Sequence, residues 1–215
     1  MKNKNINEIK DIYAKIKPEI VQRIKVFEQT GRNMSRDELF YELGFCLFTP
    51  QSKATMCWDS VCSIKKNMKN NHKSKEILPH LIGVRFKYKK SEYFEEAQKK
   101  WFDSGKYTIY SKISSENNEK EMREFLVKNI RGLGYKEASH FLRNIGHGKN
   151  FAILDRHILK NLKILGIIDV VPKSLARNHY LDIEDKMALF SNRIEIPLSH
   201  LDFVLWYKEA GIVFK

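Results

Sequence analysis

Apolar positions recur at three- and four-residue intervals along almost the whole chain, the period of helices that bury one face. Residues 5–29 follow it, with Pro18 inside the run predicting a break or a first-turn position. In SRDELFYELGFCLFT (35–49), Ser35 and Glu38 have capping-box spacing ahead of a strongly apolar helix. Pro50 closes that helix or opens the next, predicted from Gln51 to Met68. A polar link, KNNHKSKE (69–76), leads to a short helix ending near Gly83, and 88–104 predicts an amphipathic helix with Tyr93, Phe94, Ala97 and Trp101. Residues 113–121 predict a loop into a helix carrying Met122, Phe125, Leu126 and Ile130. Helices are then expected over 135–146, 155–165, 174–191 and 197–210, with Pro172 and Pro197 at starts of the last two. The short β-like runs FAIL (151–154) and NRIEI (192–196) are expected to be connectors, so the fold class is all-α.

The stretch NIRGLGYKEASHFLRNIG (129–146) joins two of these helices through Gly132 and Gly134. Both glycines can take positive φ and admit a close backbone neighbour or a phosphate. Free N–H groups at the start of the second helix would suit an anion. An ordinary helical hairpin with a glycine cap has the same pattern. Lys128, Arg131, Lys136 and Arg143 add positive charge. Ala138, Phe141, Leu142 and Ile145 form the buried stripe of the second helix, and Lys136 points away from it. A solvated lysine fits that geometry too, but a helix N-terminus disfavours the ammonium form, which is what an amine nucleophile requires. Asp155, at the end of an apolar run and the start of a helix, is an expected N-cap, and a capped carboxylate is a well-oriented one.

Composition sharpens this picture. With 39 Lys+Arg against 26 Asp+Glu the net charge is +13, which suits a polyanionic partner as well as a merely basic surface. The 215 residues, 42% of them apolar, are enough for one fairly large domain or two small lobes. No apolar run is long enough to span a membrane and no signal peptide is visible, so a soluble intracellular protein is expected. Cys46, Cys57 and Cys62 lack metal-ligand spacing and are expected to be reduced and mostly packed. His140 and His157 lack clustered partners, so no metal site is expected.

The glycine hairpin, the lysine two residues beyond it and the aspartate opening a later helix resemble the helix-hairpin-helix superfamily of DNA glycosylases. The late chain has no cysteines for an iron–sulfur loop. The segments IGVRFKYKKSEY (82–93), GLGYKEASHFLRNIG (132–146), ILDRHIL (153–159) and LDFVLWY (201–207), with a terminal lysine, resemble the type-2 8-oxoguanine DNA glycosylase/AP lyases over about residues 35–215. That resemblance implies a two-lobed fold with the active site in the cleft between lobes, approximately 30–115 with the C-terminal segment packing nearby, and 116–190 with the hairpin 117–146, within a single unit 1–215. It implies Lys136 as nucleophile at the sugar C1′ and Asp155 as the essential carboxylate, offset from each other rather than in a tight ion pair. It places Phe86 and Trp206 against the flipped base with Arg85 nearby, with simple core packing as the alternative for the two aromatics. Lys215 would read the purine edge through its terminal carboxylate, unless the tail is frayed. Gln51 would fill the gap left by flipping or simply stand at a helix cap, and Arg131, Gly132 and Gly134 would hold DNA. Such turns often offer carbonyls to a monovalent cation, here those of Ile130 and Leu133, and no cofactor is otherwise required. The implied partner is double-stranded DNA containing 8-oxoguanine, bound by a monomer in the nucleoid-associated cytoplasm of a prokaryote. A non-catalytic DNA-binding module, or the same chemistry on another oxidised base, remains the alternative.

Overall fold

A computed structural model describes residues 2–33, 35–67, 73–102, 109–116 and 118–215, with the side chains of residues 2 and 3 excepted. Half of the polar link, 69–72, therefore lies outside the described residues. The helices are α1 (Lys2–Asn33), α2 (Arg36–Phe48), α3 (Ala54–Asn67), α4 (Ser74–Ile77), α5 (Lys87–Phe102), α6 (Ile109–Ser115), α7 (Glu119–Asn129), α8 (Tyr135–Asn144), α9 (Arg156–Ile164), α10 (Arg177–Ile194) and α11 (Leu198–Ala210), with a 3₁₀ turn at Leu78–His80. No strand occurs among the described residues, as an all-α fold requires. No described helix is long and apolar enough to cross a membrane.

Two compact units divide the chain, one of residues 1–28 with 146–215 and the other of 29–145. These differ from lobes of 30–115 and 116–190, because α8 packs on α2 as well as on α7 and so joins the hairpin to residues 36–102. Residues 1–28, which the pattern alone left without a role, belong with the C-terminal helices.

In the unit 29–145, α2 is buried along Leu39, Phe40, Leu43, Gly44, Phe45, Cys46, Leu47 and Phe48 and touches α3, α5 and α8. The expected capping box starts it, with Glu38 N–H donating to Ser35 Oγ at 3.3 Å and Ser35 N–H to the Glu38 carboxylate at 3.0 Å. Phe94 of α5 lies between Phe40 and Phe48, with ring centroids 4.9 and 5.3 Å away. In the other unit, Ile9, Ile16, Ile20 and Phe27 form one buried stripe of α1, and Phe27 stacks on Phe203 of α11 at 6.3 Å. Tyr13 Oη and His200 Nδ1 meet at 3.0 Å, and α11 packs on α9 and α10.

Four sequence expectations change. Pro18 lies inside an unbroken α1, where burial of Ile16 and Ile20 on either side outweighs one lost backbone hydrogen bond. Residues 113–115 end α6, a short helix anchored by buried Ile109 and Ile113, and the loop begins only after it. Pro172 does not start α10, which begins at Arg177 behind Ala176. Residues 192–194 are the last turn of α10, and only 195–196 connect.

Gly44 fixes how closely α5 approaches α2, since a Cβ there would stand 2.4 Å from the Phe94 ring. The ring is flanked by Phe40 and Phe48, so it cannot shift without disturbing them. Gly44→Ala is therefore expected to destabilise the unit by about 1–3 kcal/mol through overpacking, read as a lower urea midpoint.

Candidate active site

Helix α7 ends with Ile130 N–H donating to Leu126 O at 2.9 Å, and the turn closes with Leu133 N–H donating to Ile130 O at 3.2 Å. Gly132 sits at φ +86°, and a Cβ on it would meet the Tyr93 ring at 2.3 Å, so both backbone and neighbour demand glycine. Gly134 is different. Its φ of −91° is open to any residue, and it serves as the N-cap of α8. Its own N–H donates to Glu137 Oε2 at 3.2 Å. Arg131 is exposed, stacks over Tyr93 at 4.9 Å and pairs with Glu96 at 2.9 Å.

Lys136 lies in the first turn of α8, facing away from buried Ala138, Phe141 and Leu142 as its register requires. Its side chain is only 21% exposed, and Nζ lies 3.0 Å from Glu137 Oε1. It also donates to Thr49 Oγ1 at 3.3 Å, and that hydroxyl in turn donates to Cys46 O at 2.8 Å. Thr49 is the C-cap of α2, so the end of one helix rests on the start of another.

The turn after Thr49 carries further candidates. Gln51 does not begin a helix: it is exposed at φ +55° and α3 starts only at Ala54. Lys90 of α5 reaches under this turn and donates to Phe48 O and Pro50 O at 2.7 Å each and to Ser52 Oγ at 3.0 Å. Ser52 Oγ also accepts from Arg85 N–H at 3.0 Å, which ties in the second turn. There Phe86 is 54% exposed at φ +58°, with the Arg85 guanidinium 5.4 Å from its ring. Non-glycine residues held left-handed are strained and cluster at working sites. Gln51, Arg85, Phe86 and Lys136 are thus brought together around residues 48–52.

Burial holds the Lys90 amine down at about 8; Cys57 and Glu137 oppose this, while Lys136 and Arg85 reinforce it. Burial pushes the neighbouring Cys57 thiol up to about 11 against the pull of Lys90, Ser52 and Lys136. Cys57 and Cys46 are buried and unbridged, and Cys62 is exposed.

Asp155, Trp206 and Lys215 belong to the other unit. The connector 151–154 is buried and pinned by α10, with Ala152 N–H donating to Glu184 Oε1 at 2.8 Å and Tyr180 Oη donating to Ala152 O at 2.5 Å. It delivers Asp155 as the N-cap of α9, where Oδ1 accepts from His157 N–H and Ile158 N–H at 2.8 Å each. Trp206 is half-buried on α11, and Lys215 is half-buried two residues beyond buried Val213. His157 faces Glu209 at 3.7 Å and His140 packs edge-on to Phe45. Among the described residues no cluster of three or more His, Cys, Asp or Glu side chains could hold a metal ion.

Sequence reasoning missed Thr49, Ser52, Lys90 and Glu137. Two signals were present: Glu137 stands three residues after the N-cap glycine, and Lys90 is in helical register with Phe94, Ala97 and Trp101.

Two helices joined across a left-handed glycine, with a half-buried lysine in the first turn of the second, define a helix-hairpin-helix protein. The family model described as 8-oxoguanine DNA glycosylase matches residues 20–196. The chain belongs to that family. It is 43% identical to an 8-oxoguanine DNA glycosylase/AP lyase of Fusobacterium nucleatum over all of this chain and 99% of that one. It is 39% identical to the one of Methanocaldococcus jannaschii, covering 99% and 98%. The crystal structure of the M. jannaschii 8-oxoguanine glycosylase/lyase with a 15mer DNA containing 8-oxoguanine superposes with TM-score 0.85 at 37% identity, covering 98% of this chain and 99% of that one. The 8-oxoguanine DNA glycosylase of Thermotoga maritima superposes with TM-score 0.85 at 29% identity over all of both chains.

The two glycines have unequal roles. Gly132→Ala is expected to lower stability by roughly 1–3 kcal/mol and to weaken duplex binding, because it meets both a forbidden φ and the Tyr93 ring. Gly134→Ala meets only the movable end of Glu137, 3.0 Å away, and should bind DNA nearly as the parent does. Melting curves and fluorescence anisotropy on one labelled duplex compare the pair.

Proposed function

We propose that this chain removes 8-oxoguanine from duplex DNA and then cuts the strand at the resulting abasic site. The observation that carries the reading is Lys136, shielded from water in the first turn of α8 behind the Gly132 turn, in a chain alike over its full length to glycosylase/lyases. The damaged nucleotide must leave the stack to be reached. The uncharged Lys136 Nζ attacks C1′, and the C1′–N9 bond breaks with its electron pair leaving on the base, which takes up a proton. Asp155 offsets the positive charge that develops on the sugar. Loss of a proton and opening of the sugar ring give an imine between Nζ and C1′. The imine acidifies the C2′ proton, whose removal expels the 3′ phosphate by β-elimination.

Phe86 and Trp206 stack on the flipped base with Arg85 beside it, and the terminal carboxylate of Lys215 reads its edge. Exposure of Phe86 on a strained turn supports stacking over core packing. Gln51, exposed and left-handed, fills the vacated position in the duplex. Gly132, Gly134 and Arg131 hold the backbone. A monovalent cation would take the carbonyls of Ile130 and Leu133; Ile130 O accepts one hydrogen bond and keeps a lone pair. The chemistry needs no further cofactor. We place the protein as a monomer on DNA in the cytoplasm of a prokaryote, in keeping with bacterial and archaeal relatives.

Borohydride reduction during reaction with a duplex carrying one 8-oxoguanine is expected to trap a covalent adduct. Lys136→Gln should abolish it while retaining DNA affinity, and Asp155→Asn should slow base release at least a hundredfold with the helix cap intact. A parent protein that binds DNA but traps nothing would be a binding module; trapping only on another oxidised base would move the substrate. Removal of Lys215 should impair 8-oxoguanine excision more than cleavage of a preformed abasic site in single-turnover assays. Equal losses would make the tail structural.

A further inference from the structure

Lys90 is 4% exposed, and its three acceptors are two main-chain carbonyls and a hydroxyl. No carboxylate is among them, and an ammonium placed so is a costly way to brace a turn. The same turn supports a second amine, since Thr49, between Phe48 and Pro50, accepts from Lys136. We propose that Lys90 is a positioning residue for Lys136: it fixes the Phe48–Ser52 turn on which that amine rests, and its charge favours the neutral, attacking form of Lys136. This rests on the lysine-attack reading above.

Geometry links three working parts to Lys90. Its bonds to Phe48 O and Pro50 O hold Thr49 under Lys136, and those to Pro50 O and Ser52 Oγ bracket Gln51. Ser52 Oγ extends the brace to Arg85 N–H, next to left-handed Phe86. The electrostatics point the same way. Glu137 of α8 favours the ammonium of Lys136; Lys90 of α5 opposes it. Arg85 ahead of α5 and Cys57 of α3 act on Lys90, and Cys57 also feels Lys136. Helix α2 contributes the Thr49 hydroxyl, and Glu124 of α7 is engaged by the Tyr135 hydroxyl at 2.5 Å. Neighbouring ammoniums titrate as a pair, so removing one raises the proton affinity of the other.

Reciprocity supplies the test. In protein labelled with ¹³C-lysine, the Cε titration of Lys90, assigned through Lys90→Arg, should move to higher pH in Lys136→Gln. In single-turnover excision, the acid limb of the pH–rate profile should shift upward by about one pH unit in Lys90→Met and stay near the parent position in Lys90→Arg, which keeps the charge. An unmoved Lys90 titration in Lys136→Gln overturns the proposal, as does an unmoved acid limb in folded Lys90→Met. If Lys90→Met does not fold, the titration decides alone. A parent protein that traps no adduct defeats the lysine-attack reading itself, while the titration still rules on whether the two amines are coupled.

Discussion

An ammonium group taken out of water must find acceptors or lose its proton, and the site is organised around the way Lys90 meets that demand. The last carbonyls of a helix lack partners inside it, and α2 ends where Lys90 arrives. Phe48 O and Pro50 O are thereby satisfied by a side chain from α5. Because α5 is locked against α2 by Phe94 in the space Gly44 leaves, the Lys90 stem has a fixed origin. The turn beyond α2 can then hold Gln51 at a dihedral that its side chain would otherwise avoid.

Competing influences meet at the start of α8. The helix N-terminus and Lys90 both disfavour a proton on Lys136, whereas the carboxylate of Glu137 favours one. Glu137 also accepts the N–H of the N-cap residue, so its position is set by the helix rather than by the lysine. A nucleophilic amine must be neutral to attack yet regain a proton readily during elimination. Opposed neighbours at fixed places serve that requirement better than one dominant charge.

Periodicity made most helices visible because each buries one stripe, and it failed where something else sets the boundary. α6 was hidden because only Ile109 and Ile113 of its seven residues are buried, beside a polar run resembling a loop. Pro18 and Pro172 misled because proline constrains its own residue and the one before it without dictating where a helix must end or begin. Lys136 and Asp155 could be picked out in the sequence because each stands at a helix start, as the structure has them. Lys90 could not, since Lys87, Lys89 and Lys90 together look like a solvated face. Only its register with Phe94, Ala97 and Trp101 marks it as buried.

In the proposed reaction Asp155 combines a structural duty and a chemical one in a single carboxylate. Both capping hydrogen bonds, from His157 N–H and Ile158 N–H, fall on Oδ1. The cap thereby fixes the plane of the group while Oδ2 stands outside it. Main-chain donors cannot rotate away, so the carboxylate holds a set orientation before any sugar arrives. The buried connector 151–154 reinforces this, since Tyr180 and Glu184 clamp the backbone three residues before the cap. A charge that must meet a short-lived cation gains most from having no reorganisation left to do.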